Sequence, residues 1–277
     1  MISWSFACSP KVKTEGFASN AAAAAVAGLM LALASGAGAG ETFRLLSYNI
    51  HHGEGMDGKL DLARIAERIR TCQPDAVALQ EVDRNCKRTG GVDMPAELAR
   101  LTGMTAHFQK AMDFDGGGYG ICLLTKGKVL ESKGYALPNS SKPVEPRTVQ
   151  TVKVEALGGT LTIANTHLDV TSGETRLAQT QFLIKTLGEM PDTVVLAGDF
   201  NAVRGDTTLK AIESAGWAVP LKQGDPNTIP SGKPDREIDF AVFRPAGALK
   251  VVKYTVLNEP VASDHRPILV EVERATP

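Results

Sequence analysis

The run Val194-Val195-Leu196-Ala197-Gly198-Asp199-Phe200-Asn201 limits what this chain can fold into more than any other stretch. It is too short for a helix of its own and too apolar for a loop, so it reads as a buried strand. Its end presents a carboxylate and a carboxamide. Side chains two positions apart share one face of an extended chain, so Asp199 and Asn201 are expected to point the same way. Buried polar groups need hydrogen-bond partners, which makes these two poor choices for packing alone. Asp-x-Asn also starts turns; the motif gains weight from other strands that end in the same manner.

Those strands recur along the chain. Phe43 to Asn49 is an apolar run ending in polar residues, and Asp75 to Glu81 is a second, ending in an acid. Between them Asp61 can cap a helix in which Leu62, Ile65, Ala66 and Ile69 form one stripe, stopped by Pro74. Asp93 and Pro95 open a short helix closed by Gly103. Strands are expected at Tyr119 to Thr125, near Val129 to Ala136, around Val152 and Val154, and at Leu161 to Thr166, which runs into His167. Leu177, Thr180, Ile184 and Leu187 mark an amphipathic helix, and Asp206 to Gly216 holds another. Pro220 to Arg236 is polar with four prolines and is expected at the surface. Ile238 to Phe243, Lys250 to Leu257 and Pro267 to Val272 complete the strands. Strands outnumber helices and often follow one another directly, which argues for mixed sheets with flanking helices rather than a strictly alternating parallel sheet.

Residues 1–39 differ from the rest. Lys11 and Lys13 precede an alanine-rich apolar run, and Ala37-x-Ala39 offers a small-residue cleavage site, the pattern of a secretory signal peptide. The apolar run is short and glycine-interrupted, unlike a membrane anchor. The chain therefore reads as a leader (1–39) followed by one domain (40–277), secreted or periplasmic, with no transmembrane anchor in the mature chain. Cys8 would leave with the leader, and the three remaining cysteines make a disulfide framework unsuitable, with Cys72–Cys86 the one pairing left open. Aromatics are 5% and the formal net charge is −1. No basic stripe for a nucleic-acid backbone is visible.

Five strand ends carry the unusual residues: Asn49, Glu81, His167, the Asp199/Asn201 pair and Asp264-His265, with Asp239 in a sixth strand. Hydrolysis of a phosphate ester needs an attacking water, a cation to take up charge, and donors to hold the phosphate. Glu81 supplies a hard oxygen and Asn49 a neutral one, a sparse set suited to Mg2+ (with Mn2+ as the alternative). Asp239 can accept the second ring proton of His265, fixing the ring and favouring its charged form.

The segments Ser47-Tyr48-Asn49-Ile50, Gln80-Glu81-Val82-Asp83, Asn165-Thr166-His167-Leu168-Asp169, Gly198-Asp199-Phe200-Asn201, Ile238-Asp239-Phe240 and Ser263-Asp264-His265-Arg266-Pro267 together resemble the endonuclease/exonuclease/phosphatase superfamily, the deoxyribonuclease-I-like group. They span nearly the whole mature chain, and Gln80 to Arg100 looks like an exported bacterial branch. The resemblance implies an α/β (mixed α+β) four-layer sandwich: two mixed β-sheets flanked by helices. It implies that Asp264 positions the metal or its waters, that Asp199 orients or deprotonates the attacking water, and that Asn201 and His167 donate to phosphate oxygens. Either Asp199 or His265 can be the base. Arg147 stands where the family often has an arginine near the phosphate, and His51 or His52 would lie near substrate, with His52 the chosen contact. Arg84, Lys87 and Arg88 could meet an outer phosphate or form a solvated loop. One departure is Ile121, where many members carry Asn.

The expected activity is metal-dependent hydrolysis of phosphate esters, phosphodiesters first. The substrate could be a nucleic acid, a lipid headgroup or a sugar phosphate, and no obligate protein partner is evident. An extracellular nuclease acting on DNA or RNA is the main alternative. A silent binding module is the lesser one, since it would be free to lose Glu81, Asp199, Asp239 or His265, and all four are present.

Overall fold

A computed structural model describes residues 41–139 and 144–275 of the 277-residue chain. The leader read from residues 1–39 lies outside them. In chain order the first elements are β1 (Thr42–Asn49), α1 (Leu62–Cys72), β2 (Ala76–Arg84), α2 (Met94–Thr102), β3 (Thr105–Phe114), β4 (Gly117–Thr125) and β5 (Val129–Ala136). There follow β6 (Thr148–Ala156), β7 (Gly159–His167), α3 (Gly173–Gly188), β8 (Thr193–Asp199), α4 (Thr207–Ser214), β9 (Asp239–Arg244), β10 (Leu249–Val256) and β11 (Ile268–Arg274).

The strands form two mixed sheets, ordered β10-β11-β1-β2-β4-β3 and β5-β6-β7-β8-β9. Strand alternation divides the apolar residues between two environments. Leu45, Ala76 and Ala78 of the first sheet meet Val152, Ile163, Val195 and Ala197 of the second in a central core. Their neighbours Leu46, Val77 and Leu79 face outward onto Ile65, Ile69 and Leu98 of α1 and α2. Val194 and Leu196 likewise pack on Leu183, Leu187, Leu209 and Ile212 of α3 and α4. Strands buried on both faces explain why the runs look continuously apolar rather than alternating. The result is the four-layer sandwich, with two sheets inside and helices outside.

The helix caps follow the sequence reading. Asp61, Asp93 and Asp206 each accept a backbone N–H of the first turn, contacts each worth about 1 kcal/mol. Two expectations are corrected and one strand is added that the sequence reading did not include. β2 does not stop at Glu81 but runs on to Arg84 through an irregularity in its pairing with β4 between Leu79 and Val82. β3, which borders the first sheet, has no clear period in its sequence. Residues 220–236 are irregular but not merely superficial: Lys222, Thr228 and Ser231 are buried. The pairing left open for Cys72 and Cys86 is absent; both are free thiols, as is Cys122. No helix among the described residues is long and apolar enough to cross a membrane.

Beneath the rim the two sheets are joined by buried amides. Gln80 Nε2 donates to Asn165 Oδ1 at 2.7 Å, and Asn165 Nδ2 donates to the carbonyls of Leu79 (2.9 Å) and Cys122 (3.1 Å). Such a network fixes the relative height of β2 and β7, the strands that carry Glu81 and His167.

Candidate active site

Sheet register assembles the site. His167 lies opposite Asp199, and Asp199 opposite Asp239, so β7, β8 and β9 set three polar residues side by side. Gly198 makes the approach feasible. Its φ is +151°, and a Cβ there would lie 1.9 Å from the Thr166 carbonyl oxygen. From the other sheet come Asn49 at the end of β1 and Glu81 in β2. The loop before β11 brings Asp264 and His265, anchored where Ser263 Oγ donates to the Asn49 carbonyl at 2.7 Å.

The cleft they form has a volume of about 390 Å³ and is lined among others by Glu81, Arg147, His167, Asp199, Asp264 and His265. Among the described residues, eight non-glycine residues have positive φ, and four of them (His51, His52, Glu81 and Asn201) line this cleft. Such conformations cost on the order of 1–3 kcal/mol each and persist where the surroundings enforce them. At Glu81 (φ +57°) the cause is the bulge in β2, which re-aims a side chain that regular pleating would direct elsewhere.

Asp199 is the hub. Its Oδ2 accepts from Asn49 Nδ2 at 3.1 Å and lies 3.5 Å from His167 Nε2 and 3.7 Å from His265 Nε2. Its Oδ1 accepts the Asn201 N–H at 2.9 Å. Burial raises the Asp199 pKa; the His265 charge opposes this and the Asp239 carboxylate adds to it. His265 Nδ1 donates to Asp239 Oδ2 at 2.9 Å. Burial would lower the His265 pKa, but the Asp239 and Asp199 carboxylates outweigh it and push it up to about 10. The ring is therefore an imidazolium at neutral pH.

His167 is its opposite. Arg147 Nη1 donates to His167 Nδ1 at 2.8 Å, and burial with the Arg147 charge lowers the pKa well below 6.5. A neutral ring that accepts at Nδ1 carries its proton on Nε2, the nitrogen that faces Asp199 and the cleft. Arg147 is itself buried, with Nη1 2.9 Å from Glu145 Oε1.

Asn201 differs from expectation. It lies beyond the end of β8 with φ +48°, and its Nδ2 donates to the Leu168 carbonyl at 3.0 Å. It reaches the cleft through a turn closed on Asp199 rather than by strand periodicity. Asn49 also departs from its reading. Its Nδ2 bridges Glu81 Oε1 (3.0 Å) and Asp199, while its oxygen accepts the His51 N–H. Arranged thus, it offers the carboxylates a donor; a ligand role would require the amide to turn over. His52 lines the cleft 3.6 Å from Glu54 Oε2.

Ligand atoms of Asp199, Asp239 and His265 lie within 4.8 Å of one another, an acidic/His group of the kind that can hold a metal. A protonated imidazole has no lone pair for a metal, so this trio is better described as an ion-paired unit. Glu81 and Asp264 fit a hard cation better: both line the cleft, and neither forms an ion pair with a basic side chain among the described residues. Carboxylate oxygens of this sort suit Mg2+ or Mn2+.

Sequence reasoning missed Lys222 and left Arg88 open between an outer-phosphate contact and a solvated loop. Arg88 lines the cleft, ion-paired to the buried Asp83. Lys222 lies behind Asp239, its Nζ donating to the Asp239 carbonyl at 2.8 Å. Arg88 stood in a basic cluster that reads equally as a solvated loop, and Lys222 had no motif around it.

Residues 46–265 match the signature of the Endonuclease/Exonuclease/phosphatase family. The chain belongs to this family, whose members are phosphoesterases or nucleases. Among solved structures it resembles the endonuclease/exonuclease/phosphatase of Beutenbergia cavernae DSM 12333 (24% identity, 85% of this chain and 72% of that one, TM-score 0.69). It also resembles the mannosyl-6-phosphatase of Bacteroides thetaiotaomicron VPI-5482 (19%, 83% and 99%, 0.66). A third is the human Nocturnin catalytic domain with bound sulfate (22%, 84% and 95%, 0.67). At these identities the likeness concerns the fold. No curated protein matches the sequence.

Proposed function

We propose that the protein is a divalent-cation-dependent hydrolase of phosphate esters, with phosphodiesters the first expected class and Mg2+ the expected ion. One observation carries this reading: the Asp199 carboxylate, held near two histidines of opposite charge state, shares a cleft with two carboxylates that lack basic partners. Glu81 and Asp264 would hold the cation, with Asn49 joining only by turning its amide. When bound, the cation supplies charge stabilisation at phosphoryl oxygens.

Asp199, with its pKa raised, is suited to orient the attacking water and take its proton. His265, kept charged by Asp239, is suited to stabilise the phosphoryl group's charge, which favours Asp199 as the base. His167 Nε2–H and the second amide hydrogen of Asn201 are available to phosphate oxygens, with Arg147 fixing the His167 tautomer. Export forms part of the proposal and rests on the leader-like residues 1–39.

The test is hydrolysis of bis(p-nitrophenyl) phosphate, plasmid DNA, RNA, sphingomyelin, phosphoinositides and sugar phosphates by the purified protein with Mg2+ or Mn2+, before and after chelation. Cation-dependent turnover supports the reading. Absence of turnover on every ester with either ion removes it.

A further inference from the structure

Part of the cleft lining has no role in the chemistry described above: Arg88, Met112, Phe114 and Tyr119, together with Glu145 and His52. Arg88 is locked in place. Its Nε and Nη2 donate to the two oxygens of Asp83 at 2.7 and 2.8 Å, and the Asp83 side chain is fully buried. The guanidinium carbon lies 4.6 Å from the centre of the Phe114 ring and 5.6 Å from that of Tyr119. A carboxylate at one edge and a ring against its face leave the Nη1 amine without a protein acceptor among the described residues. An arginine fixed in this way is a preorganised donor, since little rotamer freedom remains to be lost on binding.

The charge around it narrows the ligand. Four cleft residues are carboxylates (Glu81, Glu145, Asp199 and Asp264) and two are arginines. Both arginines are already paired, Arg88 with Asp83 and Arg147 with Glu145. Once a cation and one phosphate are seated, no unpaired arginine is left for a second phosphate, which disfavours a polyanion. The Phe114 face that could stack a base carries the Arg88 guanidinium, and Tyr119 is buried. What this wall presents is a fixed N–H donor, a half-exposed carboxylate acceptor at Glu145, and the half-exposed apolar surfaces of Met112 and Phe114. Hydroxyl groups both donate and accept, and the C–H faces of a polyol tolerate apolar contact.

We propose that this wall binds a neutral, polyhydroxylated group of the ester, a sugar or polyol, with Arg88 donating to one hydroxyl and Glu145 accepting from another. The inference rests on the phosphoesterase reading and deepens it by naming the substrate class.

The test compares kcat/KM, in the presence of Mg2+, for glucose 6-phosphate, its methyl phosphodiester, the dinucleotide thymidylyl-thymidine and bis(p-nitrophenyl) phosphate. One of the sugar esters is expected to exceed the dinucleotide by at least tenfold. In Arg88→Met the sugar-to-aryl ratio of kcat/KM is expected to fall at least tenfold, chiefly through KM. Arg88→Met leaves Asp83 buried and unpaired, so Glu145→Gln and Phe114→Ala serve as second variants, each expected to lower the ratio at least threefold while melting cooperatively. A preference for the dinucleotide, or an unchanged ratio in every variant that folds, overturns the subsite alone. No turnover of any ester, the aryl diester included, overturns the phosphoesterase reading and the subsite with it.

Discussion

His265 and Asp239 are joined by a 2.9 Å hydrogen bond between Nδ1 and Oδ2, and both side chains are almost wholly buried. The carboxylate aims the ring so that Nε2 faces Asp199, and it keeps the ring charged. Asp239→Asn retains an acceptor oxygen but loses the charge. We expect kcat on bis(p-nitrophenyl) phosphate to fall by about 10²–10³-fold, the usual cost of weakening one preorganised stabiliser of transition-state charge, with a small change in KM. Histidine NMR of the variant should show the His265 ring deprotonating at lower pH than in the wild type.

The same pair sets the pH dependence of stability in the metal-free protein. His265 titrates near 10 when folded and near 6.5 when unfolded. Its contribution is complete below the unfolded value and is lost as pH rises through the folded one. Asp199, raised from 3.8 to about 7, acts in the same direction but at lower pH, its contribution being lost between those two values, so the decline at higher pH belongs to His265. The melting temperature should therefore fall as pH rises from about 6.5 towards about 10. His265→Gln should flatten that decline; calorimetry across the window checks both.

Much of this was readable in the sequence because two-sided burial leaves a plain signature: a short apolar run, then one polar residue with no reason to be there. Asn49, His167 and Asp199 follow that rule, while Asp239 opens its strand, and register sets His167, Asp199 and Asp239 side by side. Glu81 was found for a reason the structure revises, since the strand continues and a bulge does the aiming. β3 was not legible because most of its residues are only half-buried, so neither face selects a period. Asn201 belongs to a turn whose positive φ no two-residue spacing reveals. Arg88 pairs locally with Asp83, but the Phe114 ring beside it and the Asp239 carbonyl beside Lys222 come from far along the chain, and local sequence does not report such contacts.

Cation binding makes a separate prediction. Glu81 and Asp264 line the same cleft as Asp199, and neither has a basic partner among the described residues to offset its charge. Mg2+ should raise the melting temperature of the wild type in proportion to its occupancy. Glu81→Gln should shift that titration to higher Mg2+, and Glu81→Gln with Asp264→Asn should abolish it. An identical titration in all three proteins would remove the ligand role, whatever the activity shows.

Gly198 tests the placement of Asp199 by geometry alone. Any Cβ at that position meets the Thr166 carbonyl oxygen at 1.9 Å, and backbone cannot give way as a flexible side chain would. Gly198→Ala must push β8 away from β7 or unfold both. The expected cost is about 3 kcal/mol or more, measured by urea denaturation, with loss of activity in whatever fraction folds.

Lys222 links the second sheet's stability to the reaction. Its ammonium group is fully buried, donating to Glu237 Oε1 at 2.6 Å and to the Asp239 carbonyl at 2.8 Å. It lies 4.4 Å from the Phe240 ring centre and 5.1 Å from that of Tyr254. Lys222→Met keeps most of the volume but removes the charge. Glu237 would retain Arg204, 3.1 Å away, whereas the Asp239 carbonyl would lose its donor at the residue that aims His265. Breaking a buried pair costs about 3–5 kcal/mol, and the remaining Arg204 contact should place the loss at the lower end of that range. Assayed well below its own melting temperature, the variant should show a lower kcat with KM preserved, because the defect lies behind Asp239 and outside the cleft lining. A variant that loses stability yet keeps full kcat would show that the ammonium supports the sheet without positioning Asp239.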